Sequence, residues 1–585
     1  MKKVLCFLLL AALLCGCSAP APITEVTQAS QSDREIETPK DMFTDRDKRT
    51  DADNCYTIVL SDSGSTSDCG SVTVNSSTVT ITQEGAYKIS GSLSDGMVLV
   101  DTDKSSKVHL ILDSVAISNN SGAALYIRQA DKVFVTLNGA NTLCSGQSFT
   151  AIDENDIDAT VYSKDDLTFN GTGGLTVTAP AGHGIVSKDD LVFTGGSYSI
   201  TTAKHGIDAN DSIRVTDSQF TIAAGKDGFH AENSDDLALG FVYMENSVLD
   251  IQAEGDGISG SSYVQIMNGT YDILTGGGYV NGQKKTSDYF GGFSGRPGGP
   301  GGPGGGRPGS RSVEYTANTE AETEAASIKG IKAGTQLLIS NGDFTIDAAD
   351  DAIHTNGSAT ITGGKFNIST GDDGMHADET LDISGGVITV TTSYEGLEAL
   401  NVQIRGGDIT LSCKDDGINA AGGQDQSGYG GVRGDRFGGH GGADGGSITI
   451  SGGKIYMNAS GDGIDANGTL TLTGGHTTVC GPTSGDTSVL DYDKTATITG
   501  GTFVGTGSSM MAQSFSESTQ GVIAISIGNQ QAGTTIKITD QNGTVLLEET
   551  PILPYQILVY SCPELVSGQN YTISIGSITD TITAK

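Results

Sequence analysis

Acids and histidines recur at fixed places in this chain. "KHGIDAN" (204–210), "KDGFHAEN" (226–233), "DDAIHTN" (350–356), "DDGMHAD" (372–378), "DDGINAA" (415–421) and "GDGIDAN" (461–467) are variants of one phrase. Aligned on the glycine, or on the Ala352 that replaces it, the preceding residues are His183, His205, Asp227, Asp256, Asp351, Asp373, Glu395, Asp416 and Asp462. Three residues later stand Val186, Asp208, His230, Ser259, His354, His376, Glu398, Asn419 and Asp465, while Asp350, Asp372 and Asp415 double the acid in three copies. Gathered on one edge about 5 Å apart, such carboxylates repel by about 3 kcal/mol per neighbouring pair at an effective dielectric near 20. Protons, basic neighbours or bound cations must offset that repulsion, and Lys204, Lys226 and Lys414 are too few to do so. Ca²⁺ suits the pattern because it takes about six to eight oxygen ligands in irregular geometry. The expected metal ligands are therefore Asp227, Asp256, Asp350, Asp351, Asp372, Asp373, Glu395, Glu398, Asp415, Asp416, Asp462 and Asp465, with Asp350/Asp351 over Asp372/Asp373 supplying much of one shell. Asp-Gly also favours turns for conformational reasons alone. A single Asp thus reads equally well as turn structure, and it is the doubled acids in register that point to metal. His230, His354 and His376 read either as hydrogen-bonded turn caps or as transition-metal ligands.

The elements that must hold these residues follow from the spacing. Gly184 to Gly206 to Gly228 are steps of 22 residues, as are Ala352 to Gly374 to Gly396, and Gly396 to Gly417 is 21. Between the phrases, "ATITGGKFNIST", "LDISGGVITVTTS", "VQIRGGDITLSC" and "SITISGGKIYMNAS" alternate apolar and polar residues around a Gly-Gly turn. Period-two alternation broken by glycine reads as strand–turn–strand. A repeat of this length without helical periodicity predicts an all-β parallel solenoid, one coil per repeat, whereas a propeller blade needs about 40–45 residues. The glycine after each acid is expected to supply a positive-φ turn.

The domains expected are a lipoprotein signal peptide at 1–17, a flexible polar tether at 18–53, a solenoid at 54–515 and a small antiparallel β domain at 516–585 that caps it. Lys2 and Lys3, the apolar run Val4–Leu14 and the lipobox-like Leu14-Cys15-Gly16-Cys17 predict lipidation at Cys17 and residence on the extracellular face of a bacterial membrane. Glycine-rich inserts at 291–312 and 422–446 interrupt the coils and carry Arg296, Arg307, Arg311, Arg433 and Arg436. They read as surface excursions or as cationic arms over a binding face. A formal charge of −37 disfavours nucleic acid and anionic membranes and favours divalent cations. Of nine cysteines three lie in the leader, Cys55 and Cys69 are near enough to pair, and no CxxC supports a cysteine-based zinc or iron–sulfur site.

"CYTIVLSDSGSTSDCGSVTVNSSTVTITQEGAYKISGSLSDGMVLVD", the two "SKDDL" coils, "ENSDDLALGFVYMENSVLDIQAEGDGI" and "LVYSCPELVSGQNYTISIG" together resemble the clostridial-type carbohydrate-binding domain proteins. The resemblance runs from about residue 54 onward. It implies a right-handed parallel β-helix similar to pectate lyases, bound calcium at the acid ladders, and acidic plant polysaccharide (polygalacturonate) or cellulose as ligand. His183 and His205 depart from the acid pattern, which puts calcium at the N-terminal coils in doubt.

Three functions are compatible with these readings. The first is a lipid-anchored, non-catalytic protein that binds an acidic, polygalacturonate-like polysaccharide through Ca²⁺ bridges, with no catalytic residue. The second is a calcium-dependent polysaccharide lyase, which needs a base beside the ion, with Lys204, Lys226, Lys414 or Arg405 as candidates. The third is a calcium-stiffened surface scaffold or adhesin.

Overall fold

The computed structural model describes residues 42–52, 54–282, 327–421, 445–483 and 487–585. The signal peptide with Cys17, tether residues 18–41, and both glycine-rich inserts apart from Gly445 and Gly446 lie outside the described residues.

Each coil contributes three short strands. His183–Ser187, Asp190–Thr194 and Ser197–Thr202 make one turn, and Ile207–Ala209, Ser212–Thr216 and Gln219–Ala224 make the next. Corresponding strands pair in parallel: Ile185 opposite Ile207, Leu191 opposite Ile213, Tyr198 opposite Phe220. Three parallel sheets result, wrapped around one core, and the fold is a parallel β-helix. No α-helix occurs among the described residues. β-Branched and aromatic residues at alternate positions bring about this architecture, because a side chain on one coil stacks about 4.8 Å from its counterpart on the next. One such interior column runs Ile185, Ile207, Phe229, Ile258, Ile331, Ile353, Met375, Leu397, Ile418, Ile464, Leu490. All of these are fully buried. Tyr271, Phe344 and Phe366 stack in another column, with ring centroids 4.8 and 4.6 Å apart.

Glycine works differently at the two turns. At most Gly-Gly turns of the coils the second glycine has positive φ, as at Gly364 (103°), Gly386 (101°) and Gly407 (99°). The glycines after the acids do not, which corrects the expectation. A Cβ on Gly374 would meet the Gly396 carbonyl oxygen at 2.5 Å, and one on Gly396 the Gly417 carbonyl oxygen at 2.4 Å. Close approach of successive coils, rather than left-handed backbone, selects glycine there.

Part of the expected tether is structured. Asp47 is 1 % exposed and pairs with Lys132 at 3.0 Å. Thr168 donates to its carboxylate, and Asn170 donates to the carbonyls of Asp47 and Arg49. Arg46 lies over the Phe134 ring at 4.8 Å. Outward-facing Thr, Asn and Lys side chains of the second sheet hold this strap across several coils. At the other end, Tyr555–Ser561 pairs antiparallel with Thr502–Gly507, the last strand of the third sheet, and with Val522–Gln530. Ile536–Thr539, Val545–Glu549, Asn570–Ile575 and Ile578–Thr583 form a separate four-stranded antiparallel sheet. Cys55 and Cys69 do not form a disulfide with each other.

Candidate cation site on the acid ladder

Register fixes two columns on the first sheet. Backbone hydrogen bonds of 2.9–3.1 Å link the residues before the turn glycines into a sequence His205, Asp227, Asp256, Lys329, Asp351, Asp373, Glu395, Asp416, Asp462, Ser488. Strand pairing aligns Asp208, His230, Ser259, Lys332, His354, His376, Glu398, Asn419, Asp465 and Asp491 in the second. Lys329, Lys332, Ser488 and Asp491 escaped the sequence reading. The "KGIKA" phrase at 329–333 was there to be found, but the insert places Lys329 73 residues after Asp256 instead of 22. Asp491 lacks the glycine signature because Val489 takes that place.

The ladder acids share a structural job. One oxygen of Asp227 accepts the backbone N–H of Asp256 (2.8 Å), one of Asp256 that of Lys329 (2.7 Å), and one of Asp351 that of Asp373 (3.1 Å). Asp373 accepts from Glu395 (3.3 Å), Asp416 from Asp462 (2.5 Å), and Asp462 from Ser488. His205 Nδ1 does the same for Asp227 N–H at 3.2 Å. In seven coils an acceptor thus stands at this position, and a carboxylate supplies it with a second oxygen to spare.

In the N-terminal and middle coils basic side chains of the chain itself approach that second oxygen. Asp227 lies 2.8 Å from His230 Nδ1 and 3.3 Å from His205 Nδ1. Burial pushes its pKa up, but the two imidazoles outweigh this and hold it well below the carboxylate range. His183, His205 and His230 stack in a column with centroids 5.0 and 4.3 Å apart. Lys332 approaches Asp256 at 3.8 Å. Lys329, 4 % exposed, places its ammonium 3.0 Å from Asp350 and 2.6 Å from Asp351. His354 adds a contact to Asp351 at 2.8 Å. A protonated amine therefore stands where the doubled acids had suggested a metal shell. The oxygens of Asp350, Asp351 and Asp372 still lie within 4.8 Å of one another, but all three residues are buried. His376 lies 2.9 Å from Glu398 and 3.5 Å from Asp373. In this structure His230, His354 and His376 each contact the acid three residues before them.

From Glu395 onward the pattern changes. Among the described residues no Lys or Arg forms an ion pair with Glu395, Asp416 or Asp462. Burial, followed by the neighbouring carboxylates, raises Glu395 and Asp416 well above their usual range. The same causes push Glu398 and Asp462 up to about 8, although His376 opposes the shift at Glu398 and the Ser488 N–H opposes it at Asp462. Asp416, Asp462 and Asp465 place one oxygen each within 4.8 Å of one another, and all three are only partly buried. Asp415 precedes Asp416 and is also partly exposed. Asn419, between Glu398 and Asp465 in the second column, donates its amide to Glu395 at 2.9 Å. Its side-chain oxygen is buried without a hydrogen-bond partner. This oxygen-only donor set, with the orphaned amide oxygen of Asn419 in register beside Asp465, fits a hard cation such as Ca²⁺. The His205–Asp227–His230 and Asp373–His376–Glu398 groups also bring three ligand atoms together, but with nitrogen among them. Of the candidate bases, Lys204 is held by Asp158 at 2.5 Å and Arg405 by Asp382. Lys414 is exposed beside Asp415.

A family model described as carbohydrate-binding domain-containing protein matches residues 75–374 and 373–545. A protein of the same description from Acetivibrio thermocellus is 42 % identical over 210 residues, which is 35 % of this chain and 73 % of that protein. The solved polysaccharide lyase-like protein from C. thermocellum, a gadolinium derivative, is 32 % identical. It covers 38 % of this chain and 92 % of its own, with a TM-score of 0.37.

Proposed function

Because this chain belongs to the family of carbohydrate-binding domain-containing proteins, we propose that it binds polysaccharide through Ca²⁺ carried at the C-terminal end of the ladder. Glu395, Glu398, Asp416, Asp462 and Asp465 would hold the ion, with the Asn419 amide oxygen. The bound ion would supply a positive centre for a ligand carboxylate. An acidic face repels an acidic glycan unless a divalent ion bridges them, so the glycan is one rich in uronates, polygalacturonate being the type. The observation that carries this reading is the oxygen-only Asp416–Asp462–Asp465 group, gathered within 4.8 Å and still open to solvent. Backbone N–H groups hold one oxygen of Asp416 and one of Asp462 in place, and the second oxygen of each would serve the ion. In the same reading the chain is exported and lipid-anchored at Cys17, with residues 18–41 as the tether, on the outer face of a bacterial membrane.

The exposed Lys414 keeps a calcium-dependent lyase as the second reading, since elimination needs a base beside the ion. Titration calorimetry of polygalacturonate against the protein, with calcium and then with excess chelator, separates the readings when the ultraviolet absorbance of an unsaturated product is followed in the same sample. Calcium-dependent heat without absorbance growth is expected. Growing absorbance makes the protein a lyase, and absence of binding in both conditions overturns the proposal.

A further inference from the structure

The oxygen cluster has a neighbour. Where strands of the third sheet end and the chain turns toward the ladder, a groove of about 300 Å³ is lined by Thr392, Ser412, Lys414, Asn458 and Thr483, together with Leu553 of the C-terminal domain. That volume is at the lower end of what small-ligand sites span, about 300–1,000 Å³. Two wall residues adjoin the cluster in the chain: Lys414 is followed by Asp415 and Asp416, and Ser460 by Gly461 and Asp462.

Two departures from the regular coil accompany the groove. Strand Val387–Ser393 carries an extra residue at Thr391–Thr392, since its register shifts against both Lys365–Thr370 and Asp408–Cys413. A bulge of this kind bends the strand and re-aims its side chains. On the far side, the chain after Cys480 runs through Thr483 before it rejoins the ladder at Ser488. Between the two, Ser412 and Asn458 stand opposite each other in register. Hydroxyl, amide and ammonium groups line the groove beside a comparable share of apolar surface from Cys413, Ala459 and Leu553. Among the described residues Lys414 forms no ion pair, so its charge is available to an anion.

We propose that this groove is a second sugar subsite, which receives the ring adjacent to the uronate bridged at Asp416, Asp462 and Asp465. Lys414 attracts that ring's carboxylate, and Asn458 and Ser412 hydrogen-bond its hydroxyls. The proposal rests on the calcium-bridging reading above and adds to it the residues that choose an acidic chain over its neutral ester.

The test is titration calorimetry of the full chain and of Lys414→Met, Lys414→Arg and Asn458→Ala with four probes: calcium alone, and, in calcium, galacturonate monomer, its trimer and the methyl ester of the trimer. Calcium and monomer affinities are expected to stay within about twofold of the unsubstituted protein in all three variants, because neither probe needs the groove. Trimer affinity is expected to fall about tenfold in Lys414→Met and about fivefold in Asn458→Ala, the scale of losing one charge-assisted and one neutral hydrogen bond. Lys414→Arg should retain the preference for acid over ester, and Lys414→Met should lose it. Trimer affinity unchanged in both Lys414→Met and Asn458→Ala, with calcium-dependent binding intact, overturns the subsite alone. An unsubstituted protein that binds calcium but no trimer overturns the bridging reading and the subsite with it.

Discussion

From His183 to His376 imidazole and ammonium groups face the ladder acids, whereas among the described residues no Lys or Arg forms an ion pair with Glu395, Asp416 or Asp462. The two stretches share a backbone, a register and the habit of using one carboxylate oxygen to cap the next coil. They differ in what faces the other oxygen. In the first it is an imidazole or the Lys329 ammonium. In the second, carboxylates neighbour one another, and burial with repulsion pushes Asp462 up to about 8 and Glu398 as far, although His376 opposes the shift at Glu398. The same motif thus meets basic side chains in one region and mainly other carboxylates in the other, and the second is where the proposed cation would relieve the most repulsion.

That contrast breaks most severely at Lys329. Lys329→Met leaves Asp350 and Asp351 buried without their cation, and a loss of about 3–5 kcal/mol is expected in denaturant unfolding without calcium. Millimolar calcium should restore part of it, because the Asp350–Asp351–Asp372 oxygens then resemble the C-terminal group. An unchanged midpoint would show that the ammonium compensates nothing. Next in size, the pair Asp416→Asn and Asp462→Asn should weaken calcium binding about 100-fold, close to 2.7 kcal/mol. The melting temperature of the metal-free protein should not fall, since repulsion is relieved. Equal calcium affinity would move the site elsewhere.

The effect of pH sharpens the comparison further. In the fold Asp462 and Glu398 keep protons to about pH 8, whereas exposed carboxyls lose them near pH 4. The folded chain therefore binds more protons over that interval, and metal-free stability is expected to fall as pH rises from about 5 to 8. His230, pushed up to about 9 by Asp227 against the effect of burial, adds stability that is complete below about pH 6.5 and lost as pH rises through about 9. Calcium should flatten the carboxylate part and release about one to two protons per ion at neutral pH, seen as a buffer-dependent enthalpy. A flat metal-free profile would contradict the raised carboxylates. Smallest, His230→Gln should cost about 1–2 kcal/mol at neutral pH through Asp227 and leave calcium affinity within twofold. A larger loss of calcium affinity would place metal among the histidines.

How much of this was legible beforehand depended on whether the signal was local. The solenoid was readable from the 22-residue step and the Gly-Gly turns, since each coil repeats the same short-range pattern. The two ladders were readable where the phrase kept its glycine, including Asn419 and Asp465. Lys329 and Lys332, which decide the chemistry of Asp350 and Asp351, were hidden because an insert displaces their coil in sequence but not in space. The strap at 42–52 was hidden for another reason. Its Asp47 is buried against Thr168, Asn170 and Lys132, more than eighty positions away, and local composition carries no trace of such partners. The glycines after the acids were found, but their reason was not, because proximity to the next coil's carbonyl exists only after stacking.

The central claim is that the ladder's open end, not its doubled acids, binds calcium. A crystal structure of the calcium-loaded protein tests this most directly. The account predicts anomalous density among Asp416, Asp462 and Asp465, and Lys329 still on Asp350 and Asp351. An ion among Asp350, Asp351 and Asp372 with the Asp416 group empty would contradict it.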